Sequence, residues 1–490
     1  MARTSTGTGR LYVGARLRRL RADHGLSQAA LARRINLSTS YVNQLENDQR
    51  PITVPVLMTL TREFGLDPNY FSADGDARLV ADVVDALAPH IDLGDSHRSE
   101  VAELVARMPD VAHALVSMHR SLSSATTELE TYRAHVTEPG NTALPPMPFE
   151  EVRDFFYDNK NHFVELDDAA ESLFEGHRLS IGGLDVQLTD LLASEYDVRV
   201  KILAPPGARA GNAGGPKRRF DTETRTLYLA RTLTSGQRAF QMATQIALMT
   251  QDVLIERLIA GADRLSQTSV PVARIGLANY FAGALILPYS RFLHAAEEWH
   301  YDIEMLGLHF EVGFETVCHR LSTLQRPGNQ GVPFIFVRTD RAGNISKRQS
   351  ATAFHFSRVG GSCPLWVVHD AFTAPGRIHI QVSQMPDGRS YFWVARTTDD
   401  GRSSYLGTRK TFAVGLGCDL THAHKLVYST GVDLHDPRTM VPIGAGCKVC
   451  ERDACPQRAF PQIGRPLNVD SRISDSIPYR PAPDTPREHH

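Results

Sequence analysis

Three of the six cysteines in this 490-residue chain fall within nine positions, in Cys447-Lys-Val-Cys450-Glu-Arg-Asp-Ala-Cys455-Pro456. A tight turn between thiolates two residues apart sets both sulfurs on one side, facing a single metal centre. Cys455 supplies a third sulfur, and Cys418 upstream completes a four-sulfur shell. Four thiolates suit an iron–sulfur cluster and zinc alike; the proline directly after the last cysteine favours iron. The competing readings are a disulfide pair or inert buried thiols. His422 and His424 are alternatives to Cys418 as fourth ligand, and Cys363, at a strand start, is a weaker candidate. Cys318, inside the periodic helix FETVCHRLSTL, reads as a core thiol.

Composition argues against cross-linking. Six cysteines are sparse for this length, and no apolar segment follows the N-terminal Met-Ala-Arg-Thr as an export signal would require. No apolar run approaches the roughly 20 residues that span a bilayer. A hydrophobic fraction of 42% and a charged fraction of 22% describe an ordinary soluble protein, whose length suggests about three domains. The expectation is a reducing cytoplasm and no membrane partner, where clustered cysteines bind metal.

The net charge of −2 hides an asymmetry. Residues 1–64 hold ten arginines against four acids, a local excess of +6 that leaves −8 for the rest. A cationic module on an anionic body attracts phosphates only where they are wanted.

Within that module, Val13, Leu17 and Leu20 recur at helical spacing, and Gly25 stops the helix. Ser27 is placed to cap a second helix with Ala30, Leu31 and Ile35 inward. Ser38 caps a third, in which Val42 and Leu45 point inward while Thr39, Ser40, Asn43 and Gln44 point outward. Two short helices joined by a tight turn, the second rich in hydroxyls and amides, make a helix-turn-helix. Amides read base edges because they donate and accept together. The expected DNA-facing set is Ser38, Thr39, Ser40, Tyr41, Asn43 and Gln44, with Arg16, Arg18, Gln28 and Arg50 on the phosphate side. Helices around Val54–Phe64 and Pro68–Phe71 would close the bundle. The stretch LSQAALARRINLSTSYVNQLENDQRPIT resembles the Cro/repressor-type (xenobiotic-response-element) helix-turn-helix domains over about residues 10–72, which implies binding to a double-stranded DNA operator.

Residues 74–136 read as a helical spacer, periodic in Ala77–Leu87 and Val101–Leu129. The proline-rich TEPGNTALPPMP that follows reads as a linker. The spacer helices are candidates for dimer contacts, because two-fold operators need two recognition helices. A homo-oligomer is expected.

Residues 149–330 read as mostly helical, with strands near Val198–Leu203 and Thr226–Leu229. The frame of QRAFQMATQIAL and GLANYFAGALILP resembles the metallopeptidase-like (IrrE-like) domain, a zincin relative. An active member carries two histidines and a glutamate there, with a later ligand. Laid residue by residue, the histidines become Thr244 and Leu248, the glutamate Gln245 and the later ligand Leu277. No residue of this chain is therefore assigned a catalytic role, and the protein is not expected to be an enzyme. A metallopeptidase-type regulator is the weaker alternative. The emptied cleft reads equally as a ligand pocket or as packing.

From about residue 331 to 470 the runs PFIFVRTDR, SATAFHFSR, PLWVVHD, RIHIQVSQ and YFWVARTT read as antiparallel strands. The basic run Ala342–Gln349 reads as a solvated turn or, less favoured, as a contact for acyl-CoA phosphates. The fold class expected is multidomain α+β: an all-α N-terminal helix-turn-helix bundle, a mostly helical degenerate zincin-like middle domain, and a C-terminal antiparallel β-containing domain with a four-cysteine site.

Four segments, STSYVNQLENDQRPITVPVL, ARIGLANYFAGALILPY, HRLSTLQRPGNQGVPFIFVRTDRAGNISKRQSATAFHFS and IGAGCKVCERDACPQRAFPQIGRPL, extend the resemblance nearly end to end. The chain resembles the actinobacterial short-chain fatty-acyl-CoA transcriptional regulators, the RamB/PrpR-like group. The resemblance implies control of acetate, propionate or glyoxylate-cycle genes, response to a short-chain acyl-CoA, and a [4Fe–4S] cluster on Cys418, Cys447, Cys450 and Cys455. A redox sensor without acyl-CoA control is the alternative.

Overall fold

The computed structural model describes residues 14–64, 73–88, 95–136, 148–203, 216–350, 362–399 and 410–480, apart from 48, 263–264, 464, 470–471, 475 and 478. The first unit contains α1 (Gly14–Asp23), α2 (Gln28–Arg34), α3 (Thr39–Glu46) and α4 (Val54–Phe64). Gly25 ends α1 at φ +61°, a left-handed turn that a residue without Cβ takes at no steric cost. Ser27 and Ser38 accept from the backbone N–H groups of Ala30 and Tyr41, so both caps foreseen from sequence form. Leu17, Leu20, Leu31, Ile35, Val42, Leu45 and Leu60 make the core between the helices. The expected helix at Pro68–Phe71 lies outside the described residues.

The spacer is a second helical unit of α5 (Ala73–Leu87), α6 (Asp95–Arg107) and α7 (Pro109–Val136). Leu79, Val83, Val101, Val105, Ala112 and Val116 fill its small core.

The middle region starts with α8 (Pro148–Asp158), α9 (Val164–Gly176) and α10 (Leu184–Ser194). A three-stranded sheet follows, formed by β1 (Arg199–Leu203), β2 (Arg218–Asp221) and β3 (Thr226–Ala230) in the order β1-β3-β2. Strand β1 runs parallel to β3 and β2 antiparallel to it. Strand β2, of sequence RRFD, was not foreseen, because three charged residues in four carry no strand signature. It forms because the edge of the sheet recruits it. Then come α11 (Ser235–Thr250), α12 (Asp252–Ala260), α13 (Val270–Ile286), α14 (Tyr289–Glu298), α15 (Ile303–His309) and α16 (Phe314–Leu321). Thr234 and Gln237 start α11 with a reciprocal capping box.

The C-terminal region comprises β4 (Ile335–Thr339), β5 (Ile345–Ser350), α17 (Val367–Asp370), β6 (His379–Gln384), β7 (Ser390–Asp399), β8 (Thr411–Asp419) and β9 (Val441–Pro442). The strands form one sheet in the order β5-β4-β8-β7-β6-β9, antiparallel except where β9 joins β6. Both faces are buried, and strand parity assigns each side chain to one of them. Phe336, Phe392, Val394, Val414, Leu416 and Cys418 join the core of the middle region, so residues 149–330 and the sheet share one continuous interior. Ile335, Val337, Trp393, Ala395 and Ala413 face the other way, towards Trp366, Val367, Val368 and Cys363. On that side a Cβ at Gly417 would lie 2.5 Å from Trp393 Cε3, so the indole rests directly on the strand backbone.

Two expectations are corrected here. PLWVVHD contains a helical turn rather than a strand: Val367 and Val368 are buried against one face of the sheet, and burial overrides their β propensity. The basic run 342–349 is only partly a turn. Asp340 Oδ1 accepts from the N–H groups of Ala342 and Asn344, both at 2.9 Å, to close a tight bend, and Ile345–Ser350 then pairs along β4. Of SATAFHFSR, residues 351–358 lie outside the described residues.

Candidate functional site

The helix-turn-helix presents α3 with Ser38, Thr39, Ser40 and Asn43 exposed and with Tyr41 and Gln44 half-buried. Arg18 and Arg50 are exposed and Arg16 is half-buried. The Arg50 guanidinium lies over the Tyr41 ring, 5.1 Å from its centroid. Asn43 Oδ1 accepts from Asn47 Nδ2 at 2.9 Å, which orients the amide.

A residue that the sequence reading passed over locks this geometry. Glu46 is completely buried, and its carboxylate accepts from Arg21 Nε at 2.6 Å and Arg21 Nη2 at 3.3 Å. The same carboxylate accepts from Gln28 Nε2 at 2.6 Å. One side chain from each of α1 and α2 thus meets one carboxylate from α3. This corrects the reading of Gln28: its amide N–H₂ is spent inside the module, on Glu46 and, at 3.5 Å, on Asn43 Oδ1. The helical period marked Glu46 only as a polar residue near the end of a helix.

In the metallopeptidase-like frame the positions expected to hold zinc ligands carry other side chains with other partners. Thr244 Oγ1 donates to Phe240 O at 2.8 Å, Gln245 Oε1 accepts from Arg218 Nη1 at 2.8 Å, and Leu277 is wholly buried. Burial lowers the pKa of Arg218 from the ordinary guanidinium value. Nearby, Asp167 is fully buried and accepts from Arg320 Nη2 at 2.7 Å and Tyr280 OH at 2.8 Å, with His162 Nδ1 at 3.2 Å. Burial alone would push its carboxyl up; the Arg320 charge and these hydrogen bonds hold it below the usual carboxylate range. This network ties α9, α13 and α16 together and has no motif.

The cysteines form a different set from the expected one. Cys447, Cys450 and Cys455 line one small cavity, and the fourth cysteine in its wall is Cys363, with Gly444, Arg452 and Arg458. Burial pushes the Cys363 thiol up, and Cys450 and Cys447 stand close enough to push it further. Cys418 is the correction. It lies on β8 opposite Phe392, fully buried in the core shared with the helices, whereas Cys363 packs on the other face of the sheet. Side chains alternate along a strand, so Cys418 cannot turn through the sheet to meet the loop. The same cavity wall omits His422 and His424.

The loop 447–458 is held from within. Arg458 is buried and donates to the carbonyls of Cys447, Cys450 and Arg452 at 3.0, 2.9 and 2.6 Å. Ala459 N donates to Cys447 Sγ at 3.5 Å. At Gly444 a Cβ would come within 2.5 Å of Cys450 Sγ, so only glycine leaves room for that sulfur. Among the described residues no three His, Cys, Asp or Glu side chains stand in the geometry of one bound metal ion. No single described helix is long and apolar enough to cross a membrane; the apolar pair α13 and α14 is bent by 60°.

A recognition helix with a polar outer face, locked to its supporting helices, defines a DNA-binding transcriptional regulator. Residues 17–71 match the helix-turn-helix family, residues 194–322 the IrrE N-terminal-like domain, and residues 323–479 the short-chain fatty acyl coenzyme A regulator C-terminal domain. The chain is 60% identical over 478 residues to the HTH-type transcriptional regulator PrpR of Mycobacterium tuberculosis, covering 96% of each chain. It is 47% identical over 473 residues to RamB of the same species, covering 96% of this chain and 98% of the relative. It is 38% identical over 475 residues to the propionyl-CoA carboxylase regulator of Cereibacter sphaeroides, with the same coverage. A solved Mycobacterium tuberculosis transcriptional regulator superposes with a TM-score of 0.65 at 61% identity, over 68% of this chain and all of that one. The chain belongs to the short-chain fatty acyl coenzyme A regulator family, together with PrpR and RamB. These relatives are regulators, and the metallopeptidase-like segment is a distant fold relation.

Proposed function

We propose that this protein is a cytoplasmic, sequence-specific repressor or activator of acetate and propionate metabolism genes, in the glyoxylate or methylcitrate cycles. Its signal is a short-chain acyl-CoA. The observation that carries the reading is the α3 surface: Thr39, Ser40 and Asn43 exposed on a helix whose inner face is locked by Glu46. In this reading α3 enters the major groove, Asn43 and Gln44 meet base edges, and Arg16, Arg18 and Arg50 meet phosphates. The protein works as a homo-oligomer on a two-fold operator. The matching C-terminal family and the name of the Cereibacter relative support acyl-CoA as the signal.

The reading also includes a [4Fe–4S] cluster, with zinc as the alternative occupant. The shared cavity and the Gly444 cradle support Cys363, Cys447, Cys450 and Cys455 as the residues that would hold it. When bound, such a group supplies a redox-sensitive clasp across the loop and the sheet. The chain's own part is positional: Arg458 fixes three carbonyls of the loop that carries Cys447, Cys450 and Cys455.

The test is an electrophoretic shift of duplexes from upstream of acyl-CoA metabolism genes, with and without propionyl-CoA. A sequence-dependent shift whose affinity changes with the acyl-CoA is expected. No shift on any such duplex at low salt, or a shift indifferent to acyl-CoA, would overturn the reading. A visible absorption spectrum of anaerobically purified protein separates iron–sulfur from zinc.

A further inference from the structure

The long helix α7 has two faces, and only one of them belongs to the spacer bundle. Ala112 and Val116 are buried against α5 and α6, and Arg120 Nη2 reaches Asp82 at 3.3 Å. About a third of a turn away runs a second apolar line. It begins at Met108, which directly precedes the helix, and continues through Val111, Leu115, Met118 and Leu122. The intervals are three, four, three and four residues. Met108 is 52% exposed, Val111 41%, Met118 69% and Leu122 56%. The sequence holds the same register to the helix end with Ala125, Leu129, Tyr132 and Val136. Nine successive positions at alternating three- and four-residue spacing are all apolar.

That spacing averages 3.5 residues, the period of a helix that winds on another helix rather than on a globular core. A helix that merely covered its own bundle would need one stripe; this one has a covered stripe and an exposed one. A water-facing line of methionine, valine and leucine is an interaction surface, and a heptad seam is complementary to itself, so one occupant follows. We propose that α7 pairs in parallel with α7 of a second copy of this chain, forming a two-stranded coiled coil along Val111–Val136. A helix of 28 residues is roughly 42 Å long and about 11 Å across, with on the order of 1,500 Å² of lateral surface. Burying half of it removes roughly 750 Å² per copy, the size of a standard stable interface. The parallel arrangement rests on the DNA-binding reading: both recognition units precede α7, and only parallel helices bring them to the same end for adjacent half-sites. The pairing itself does not depend on that reading, nor on acyl-CoA or a cluster.

The experiment is sedimentation of the full-length protein over a concentration series, beside Val111→Glu/Met118→Glu. A control carries glutamates off the seam, Ala102→Glu/His113→Glu. All three are checked for folding by circular dichroism. The native chain and the control should sediment as two chains at micromolar concentration, and the seam variant should weaken pairing at least 100-fold while keeping its helix content. Orientation is read separately: Val111→Cys should form a disulfide-linked pair under mild oxidation, because parallel helices place the two Val111 positions side by side. A monomeric native chain, an assembly of more than two copies, or a seam variant that pairs like the native chain would overturn the proposal. Pairing without the Val111→Cys cross-link would overturn its parallel sense. A seam variant that sediments as a monomer yet still shifts DNA would leave the DNA-binding reading intact.

Discussion

The DNA-reading module and the cysteine site are built on opposite principles. From Ser27 to Asn47 the module is continuous chain, and caps, turn and outward face all lie within reach of helical periodicity. The cysteine cavity joins Cys363, before the helical turn α17, to a loop more than eighty residues later, across a strand edge. Local devices shape the helices of the first site, with the Glu46 contact to Arg21 reaching beyond that stretch; a sheet face positions the second. The contrast explains why capped helices were readable in full and why only three of four cysteines were.

The sharpest way to break that comparison is to exchange the two contested cysteines. Cys363→Ser should abolish the bound iron or zinc, while Cys418→Ser should keep it, as metal and acid-labile sulfide analysis of anaerobically purified protein would show. The reverse outcome would restore Cys418 and refute the parity argument.

A smaller effect tests whether the DNA module is as local as it looks. Arg21→Ala leaves the buried Glu46 carboxylate with Gln28 alone and should cost about 3 kcal/mol of that module's stability, measured by denaturant unfolding. A loss below about 1 kcal/mol would mean that the caps and apolar core suffice.

Asn43→Ala and Gln44→Ala should each cost about 1–3 kcal/mol of discrimination between operator and mismatched duplex, whereas Arg18→Ala should lower the salt slope by about one with little change of sequence preference. Competition binding at several salt concentrations separates the two effects.

An effect confined to acid pH is a loss of stability in the C-terminal half that the DNA module should not share. Burial, reinforced by Lys347, depresses His319 to about 3, and its Nε2 lies 3.0 Å from Gln349 Nε2. The native state therefore refuses a proton that the unfolded chain accepts below about 6.5. Stability from this group is fully present above that pH and falls as pH drops from about 6.5 towards 3, by at most ~1.4 kcal/mol per pH unit. His319→Gln should flatten that part of the stability profile.

Sequence by itself determined the helix-turn-helix, because capping and a 3.6-residue period act between neighbours. It determined that Thr244, Gln245, Leu248 and Leu277 lack the atoms of a zinc-protease site wherever they sit. It also placed Cys447, Cys450 and Cys455 on one short loop, where all three line one cavity. Tertiary structure alone decided the rest. That Cys363 and not Cys418 lines the cavity depends on which face of the sheet each packs against. The helical turn at Val367–Asp370 depends on burial against the sheet, and the role of Glu46 depends on Arg21 and Gln28 arriving from two other helices. Each is set by strand parity or by a meeting of distant side chains, and no periodicity within a segment encodes which face or which partner will be waiting.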